Sequence, residues 1–172
     1  MQQLTCTALL SVIILLSGSF KIPSPIAGGE FQLSAPLAVL ICVYFGFKRY
    51  LVAGVIASCL GLMMGTANIF NIIIAMVFRI VAGGLVSLAG RSLPVIAVSG
   101  PLGTLAARFV MGQVLHVNWL VLAAGAVPGM IFTAIGAALL YKPGLALLSR
   151  IPTVRSQLVN QRSGIQHESV QR

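Results

Sequence analysis

The chain has 172 residues, of which 58% are hydrophobic and 8% are charged, and its mean hydropathy is +1.03. This composition excludes a soluble globular protein and indicates an integral membrane protein in a lipid bilayer. The net charge of +9 would suggest nucleic-acid binding in a soluble protein, but here the basic residues lie at the ends of apolar runs and in the C-terminal segment. We therefore interpret them as topology signals beside an anionic lipid leaflet and expect no nucleic-acid partner; RNA binding is the alternative.

Apolar runs between turn signals predict six membrane-spanning helices, because each bilayer crossing needs about 20 apolar residues. Their predicted ranges are 4–20, 33–47, 50–66, 69–89, 93–113 and 118–141. The expected fold is an all-α membrane protein, a single bundle of about six transmembrane helices. It forms one transmembrane domain over residues 1–142, whereas residues 143–172 predict a flexible basic cytoplasmic tail.

The first apolar run and the link after it leave alternatives open. The run lacks a basic n-region and a small-residue cleavage site, so we interpret it as a retained span, with a cleaved signal peptide as the alternative. The link, "KIPSPIAGGEFQ" at 21–32, is too long for a tight turn. It is either a passive connector or a loop that covers a binding site open to the outside.

The basic residues predict that both termini are cytoplasmic. In that orientation eight of them lie on the cytoplasmic side, one lies outside and two lie within spans. The eight are Lys48, Arg49, Arg91, Lys142, Arg150, Arg155, Arg162 and Arg172; the outer one is Lys21, and those within spans are Arg79 and Arg108.

Small residues recur every four positions on the third predicted helix, at Ala53, Ala57, Gly61 and Gly65. Such faces let helix backbones approach closely in lipid. We therefore predict that this helix is central in the bundle.

Two arginines interrupt predicted spans. Arg79 lies at the centre of the fourth helix, where a lipid-facing arginine costs at least ~2.5–3.5 kcal/mol on insertion scales. It shares a stripe with small residues, as Arg108 does on the fifth helix, so each guanidinium is predicted to face into the bundle. The alternatives are a purely structural bond from Arg79 to backbone carbonyls or asparagines, and outward snorkelling of Arg108.

Polar side chains collect at the outer ends of the same helices and after the first link. Together with the two arginines they predict an outward-facing, substrate-binding cavity. The predicted substrate-binding residues are Arg79, Arg108, Asn68, Asn71, Glu30, Gln32, Gln113, His116 and Trp119. Taken singly, His116 is typical of a solvated interfacial residue and Trp119 of a membrane-interface anchor.

Missing residue types exclude several classes of protein. The chain has no aspartate, and its glutamates are Glu30 and Glu168, so no span contains the carboxylate of an ion-driven carrier. It has no GxxxxGK[ST] loop, HExxH motif or Ser/His/Asp constellation, so we expect no enzyme and no catalytic residue. Its cysteines, Cys6, Cys42 and Cys59, form no CxxC pair, and we expect neither a metal site nor a cofactor.

A small six-helix protein of this kind resembles the substrate-binding S components of energy-coupling factor (ECF) transporters. Residues 30–65, "EFQLSAPLAVLICVYFGFKRYLVAGVIASCLGLMMG", are similar to that family's second helix, short basic link and glycine-rich third helix. Residues 98–112, "VSGPLGTLAARFVMG", are similar to its fifth helix. No motif points to one vitamin branch of the family, so the identity of the ligand stays open.

The resemblance implies that the chain captures a vitamin or related micronutrient from outside a prokaryotic cell membrane. Together with the arginines, it points to a ligand that carries a negative charge or many acceptor groups. It also implies a transmembrane coupling protein and two ATPase subunits as partners. Thr7 and Ser11 are the nearest counterparts of the family's docking face on the first helix, and we expect Lys48 and Arg49 to contact the coupling protein by charge.

Two other classes of protein have a similar length and helix count. One is a structural membrane scaffold of the rod-shape-determining type, which needs no outward pocket. The other is a small carrier or channel that works alone and moves solute without ATPases.

Overall fold

The structure is a computed structural model that describes residues 2–19, 21–23, 30–32 and 34–149. Within these residues the chain forms six helices and two short strands. The helices are α1 Gln2–Ser19, α2 Ser34–Phe45, α3 Phe47–Met63, α4 Ile69–Ala89, α5 Leu93–Leu115 and α6 Trp119–Ser149; the strands are β1 Lys21–Pro23 and β2 Glu30–Gln32. The prediction of six helices is confirmed, while the side of the membrane on which the termini lie stays a prediction.

Three of the helices, α4, α5 and α6, are long and apolar enough to cross a membrane. The helix α2 is apolar as well, but its 12 residues make only about 18 Å of helix, against a hydrocarbon core of about 30 Å. The helix α3 has 17 residues and carries two basic residues in its first turn. The three long helices fit a multi-pass membrane protein, and six complete crossings stay a prediction.

The ends of the first link pair with each other. β1 and β2 run antiparallel, with Lys21 opposite Gln32 and Pro23 opposite Glu30, and β2 packs against α6. The sequence predicted a loop without strands here. Whether the link covers a binding site is not decided, because residues 24–29 lie outside the described part of the chain.

The central helix of the bundle is α2, so the prediction of a central third helix is wrong. α2 packs against α1, α3, α4, α5 and α6, whereas the main neighbours of α3 are α1, α2 and α4. Pro36 and every residue from Ala38 to Tyr44 are buried on α2, as expected of a helix that is apolar all round. The small residues of α3 serve pairwise contacts instead: Gly54 faces α4, and Gly61 faces α1.

The last helix is longer than predicted. The apolar pattern predicted an end at residue 141, but α6 continues through Ser149 and contains Pro143. A proline inside a helix removes one N–H donor and crowds the preceding turn, which usually marks a helix end in sequence. The first seven residues of the predicted tail are therefore helical. Residues 150–172 lie outside the described part, so the flexibility of the tail stays a prediction.

Tyr44 of α2 holds α6 at this proline. Its hydroxyl donates a hydrogen bond of 2.6 Å to the backbone oxygen of Tyr141, and the two rings stack in parallel with centroids 6.3 Å apart. Gly144 permits this approach, because a Cβ there would lie 2.5 Å from the Tyr44 hydroxyl oxygen. This hydrogen bond lies in the turn before Pro143, and it ties the central helix to the longest one.

We expect Tyr44→Phe to lower the free energy of unfolding by about 0.5–1.5 kcal/mol, the usual net contribution of one intramolecular hydrogen bond. Tyr141→Phe is the matched control, because it keeps both the ring and the backbone oxygen that accepts the bond. Denaturant unfolding of the purified protein in detergent measures both variants. Equal stability of Tyr44→Phe and the wild type would show that this bond does not hold α6.

Candidate functional site

Arg79 is the one buried charged side chain among the described residues, at 7% exposure. Its Nη1 donates a hydrogen bond of 2.8 Å to Ser58 Oγ on α3 and lies 3.5 Å from Met76 Sδ. The guanidinium therefore faces the interior of the bundle, as the small-residue stripe around it predicted. It crosses from α4 to α3 and joins these two helices by a charge-assisted hydrogen bond, which is stronger than a neutral one.

Gly54 of α3 makes the space that the guanidinium occupies. A Cβ at this position would lie 2.5 Å from Nε of Arg79, 2.6 Å from Cδ and 2.9 Å from Cζ. No side chain larger than hydrogen fits there while Arg79 keeps its place. The glycine thus lets a long charged side chain lie flat in the interface between α3 and α4.

Tyr50 brings a second polar group to Arg79. The residue is 1% exposed, and its hydroxyl lies near the guanidinium, which can donate to the hydroxyl oxygen. Even so, that hydroxyl has no hydrogen-bond partner of acceptable geometry among the described residues. A guanidinium has donors only, so the O–H of Tyr50 finds no acceptor there, and a buried donor without an acceptor costs about 1–3 kcal/mol.

Sequence reasoning missed Tyr50, because a tyrosine beside a basic link is typical of a membrane-interface anchor. The sequence nevertheless contains a pattern that points to Tyr50. Tyr50, Gly54 and Ser58 follow one another at intervals of four, which places all three on one face of α3. That face is the one that meets Arg79.

The charge of Arg79 has no carboxylate partner among the described side chains. The two acids of the chain are Glu30 and Glu168, and both side chains lie outside the described part. A guanidinium carries five N–H donors, and the hydrogen bonds to Ser58 and Met76 both come from one nitrogen. Geometry and charge together suit an anionic acceptor such as a carboxylate.

The start of α4 holds two of the predicted substrate-binding residues. Asn68 is exposed and precedes the helix, and its side chain accepts a hydrogen bond of 2.8 Å from the backbone N–H of Asn71. This is a helix N-cap, which satisfies one of the free N–H groups of the first turn. Asn68 therefore has a structural role in this state, and Asn71 is half-buried beside it.

Three further predicted residues surround the turn between α5 and α6. Gln113 and His116 are exposed there. His116 caps α5 in the left-handed conformation, with φ at 53°. Trp119 begins α6 and packs edge-to-face on Phe109, with ring centroids 5.7 Å apart. The close approach depends on Gly112, since a Cβ there would lie 2.6 Å from Cβ of Trp119.

The predicted residues separate into an outer group near the helix ends and a buried centre at Arg79. The outer group, called the rim, consists of Asn68, Asn71, Gln113, His116 and Trp119. The short link between α4 and α5, which pack against each other, places the start of α4 and the end of α5 at the same end of the bundle. Arg79 lies ten residues beyond Ile69 on α4, which is about 15 Å of helix. Arg108 is half-buried on α5, and the side chains of Glu30 and Gln32 lie outside the described part. One cavity that joins the rim to Arg79 stays a prediction.

The residues predicted to dock a partner differ in accessibility. Ser11 is 1% exposed and donates a hydrogen bond of 2.8 Å to the backbone oxygen of Thr7. It faces the bundle, so a partner cannot reach its side chain while α1 keeps its place. The exposed face of α1 carries apolar residues instead, namely Leu4, Leu9, Val12, Ile13 and Leu16. At the basic link, Lys48 is exposed and Arg49 is half-buried.

We expect Gly54→Ala to destabilise the protein, because the new methyl group overlaps the guanidinium and must displace it. Overpacking of this kind typically costs about 1–3 kcal/mol. Gly84→Ala on α4 is the matched control. A Cβ at Gly84 meets no atom within 4 Å, and alanine has the higher helix propensity, so its stability should be equal or higher. Thermal unfolding in detergent measures both, and an equal loss in the two variants would contradict the contact between Gly54 and Arg79.

No protein-family profile and no solved structure matches the chain. The chain is similar to Protein BioX of Lysinibacillus sphaericus, with 46% identity over 128 residues. The aligned region covers 74% of this chain and 77% of that relative. At this identity and coverage, the chain belongs to the family of Protein BioX.

Proposed function

We propose that this protein is the membrane-embedded, substrate-binding subunit of an ECF-type importer. It captures a vitamin-like small molecule from outside a prokaryotic cell, while partner subunits hydrolyse ATP. The observation that carries the proposal is Arg79, a buried guanidinium beside a tyrosine hydroxyl whose O–H has no acceptor, with no carboxylate among its described neighbours. A protein interior rarely keeps such a cation unless it serves a ligand or a partner.

Biotin is the first ligand to test. The name of the relative, Protein BioX, suggests this vitamin, and the chemistry of biotin suits the site. Biotin carries a single carboxylate on a flexible chain, which matches one unbalanced guanidinium in an apolar bundle. The rim residues Gln113, His116 and Trp119 offer polar and aromatic groups for the rest of the molecule.

Energy for uptake comes from other chains in this proposal. Residues 34–149, which include the three long apolar helices, contain neither aspartate nor glutamate. These helices therefore lack the carboxylate on which the proton or sodium coupling of a self-sufficient carrier usually depends. A transmembrane coupling protein with two ATPase subunits supplies the missing step, and this chain itself acts without catalysis.

The basic links lie together, which supports a cytoplasmic docking end. Tyr44, next to the link after α2, contacts Tyr141, which precedes Lys142. Arg91 acts electrostatically on Cys42, near the same link. A cluster of Lys and Arg at one end of a membrane bundle favours the cytoplasmic side. In this orientation Lys48 and Arg49 face the coupling protein together with the exposed apolar face of α1.

We expect Arg79→Gln to weaken biotin binding about ten- to a hundredfold, because the loss of a hydrogen bond to a charged group costs about 1.5–3 kcal/mol. Arg79→Lys should weaken binding as well, since an ammonium does not reproduce the planar fork. Arg91→Gln, at the other end of the bundle, is the control and should bind like the wild type. Titration of the detergent-purified variants measures the affinities. A folded Arg79→Gln with unchanged affinity would leave Arg79 a purely structural role.

A transport assay on the protein alone distinguishes the proposed binding subunit from a stand-alone carrier. In proteoliposomes without ATPases, the purified chain should bind biotin but should not concentrate it under an imposed proton or sodium gradient. Radiolabelled biotin trapped inside the vesicles is the measurement. Accumulation driven by either gradient would contradict the proposed dependence on partner subunits.

A further inference from the structure

Three polar side chains meet at the α3–α4 interface: those of Tyr50, Ser58 and Arg79. Tyr50 and Ser58 belong to the same face of α3, two turns apart, with Gly54 between them. Arg79 crosses from α4 over this glycine and bonds to Ser58 through Nη1. The guanidinium also interacts with the Tyr50 hydroxyl, whose oxygen can only accept from it, because a guanidinium has donors and no acceptor.

The Tyr50 hydroxyl is the unexplained member of this group. Its ring fills the core at 1% exposure, and a phenylalanine would fill nearly the same volume without burying a polar atom. Native proteins satisfy the large majority of their buried polar side-chain atoms, so an exception calls for a specific cause. Within the described chain, no acceptor satisfies this hydroxyl, although the cation beside it interacts with it electrostatically.

We propose that Tyr50 is a ligand-binding residue, whose hydroxyl and the Arg79 guanidinium together bind the carboxylate of the small-molecule substrate inside the bundle. This inference rests on the proposed function and adds a second donor to its site. The Tyr50 O–H donates to the carboxylate, and the guanidinium donates from the nitrogens that Ser58 does not occupy. Ser58 holds the plane of the guanidinium in place through Nη1. Both donors are buried at this interface, so a ligand would reach them from between α3 and α4.

Such a site discriminates between a carboxylate and its neutral amide. A guanidinium offers donors alone, and in this geometry the hydroxyl also acts as a donor. A carboxylate brings acceptors alone, whereas an amide brings an N–H₂ group that would face another donor. Biotin should therefore bind at least about tenfold more tightly than biotinamide, its carboxamide, and Arg79→Gln should abolish most of this preference.

The decisive variant is Tyr50→Phe, measured for ligand-free stability and for biotin affinity. Without ligand, its midpoint of thermal unfolding should equal or exceed that of the wild type, because the substitution removes a buried O–H donor that has no acceptor among the described residues. Its affinity for biotin should fall about three- to thirtyfold. Tyr44→Phe is the matched control: its hydroxyl is bonded in the ligand-free chain, so its stability should fall while its affinity stays unchanged.

The stability measurement and the affinity measurement distinguish an error in this inference from an error in the choice of biotin as the ligand. If ligand-free Tyr50→Phe is as destabilised as Tyr44→Phe, the hydroxyl makes a structural bond and the inference is wrong, whatever the ligand is. Unchanged biotin affinity of Tyr50→Phe, or equal binding of biotin and biotinamide, would also overturn it. A wild-type protein that does not bind biotin would overturn the proposed ligand, and the ligand-free measurement would still decide whether the hydroxyl is structural.

Discussion

The site depends on the contact between the Arg79 guanidinium and α3 at Gly54, where the missing side chain leaves space for it. A permanent cation near the middle of an apolar helix is expensive in lipid, so it must be enclosed by protein. Gly54 provides the volume, and Ser58 provides a hydrogen-bond acceptor at 2.8 Å. The described chain does not provide a counter-charge. Among the described residues the guanidinium is thus held by neutral partners, which fits the anion-binding role proposed for it.

Around this contact, the bundle is organised by a short helix instead of a long one. α2 is too short to cross a full hydrocarbon core, yet it contacts every other helix and is buried along most of its length. Its end is fixed to α6 by Tyr44 at the turn before Pro143. This anchoring keeps α2 and α6 together at the basic end. The interface between α3 and α4 that holds Arg79 packs against α2 as well.

The hydrophobic pattern was sufficient to predict most of the fold. Six helices were predicted, and α4 has the predicted bounds, because Asn68 and Gly90 are strong local end signals. The end of α6 was missed, since a proline usually marks a helix end in sequence, whereas α6 continues through Pro143 to Ser149. The central position of α2 was missed too, because small residues report close packing but not the number of neighbours. For the site, the small residues on the same face of α4 predicted that Arg79 points into the bundle. The spacing of four places Tyr50 on one face of α3, but it does not show that this face meets Arg79.

Native mass spectrometry of the gently purified protein tests the central claim most directly, because it identifies the bound molecule without choosing a ligand in advance. Wild-type protein and Arg79→Gln would be purified side by side from the same cells. The account predicts that the wild type retains a small molecule that bears a carboxylate and that Arg79→Gln loses it while remaining folded. Retention of the same molecule at the same occupancy by both proteins would contradict the claim that the buried guanidinium binds the ligand.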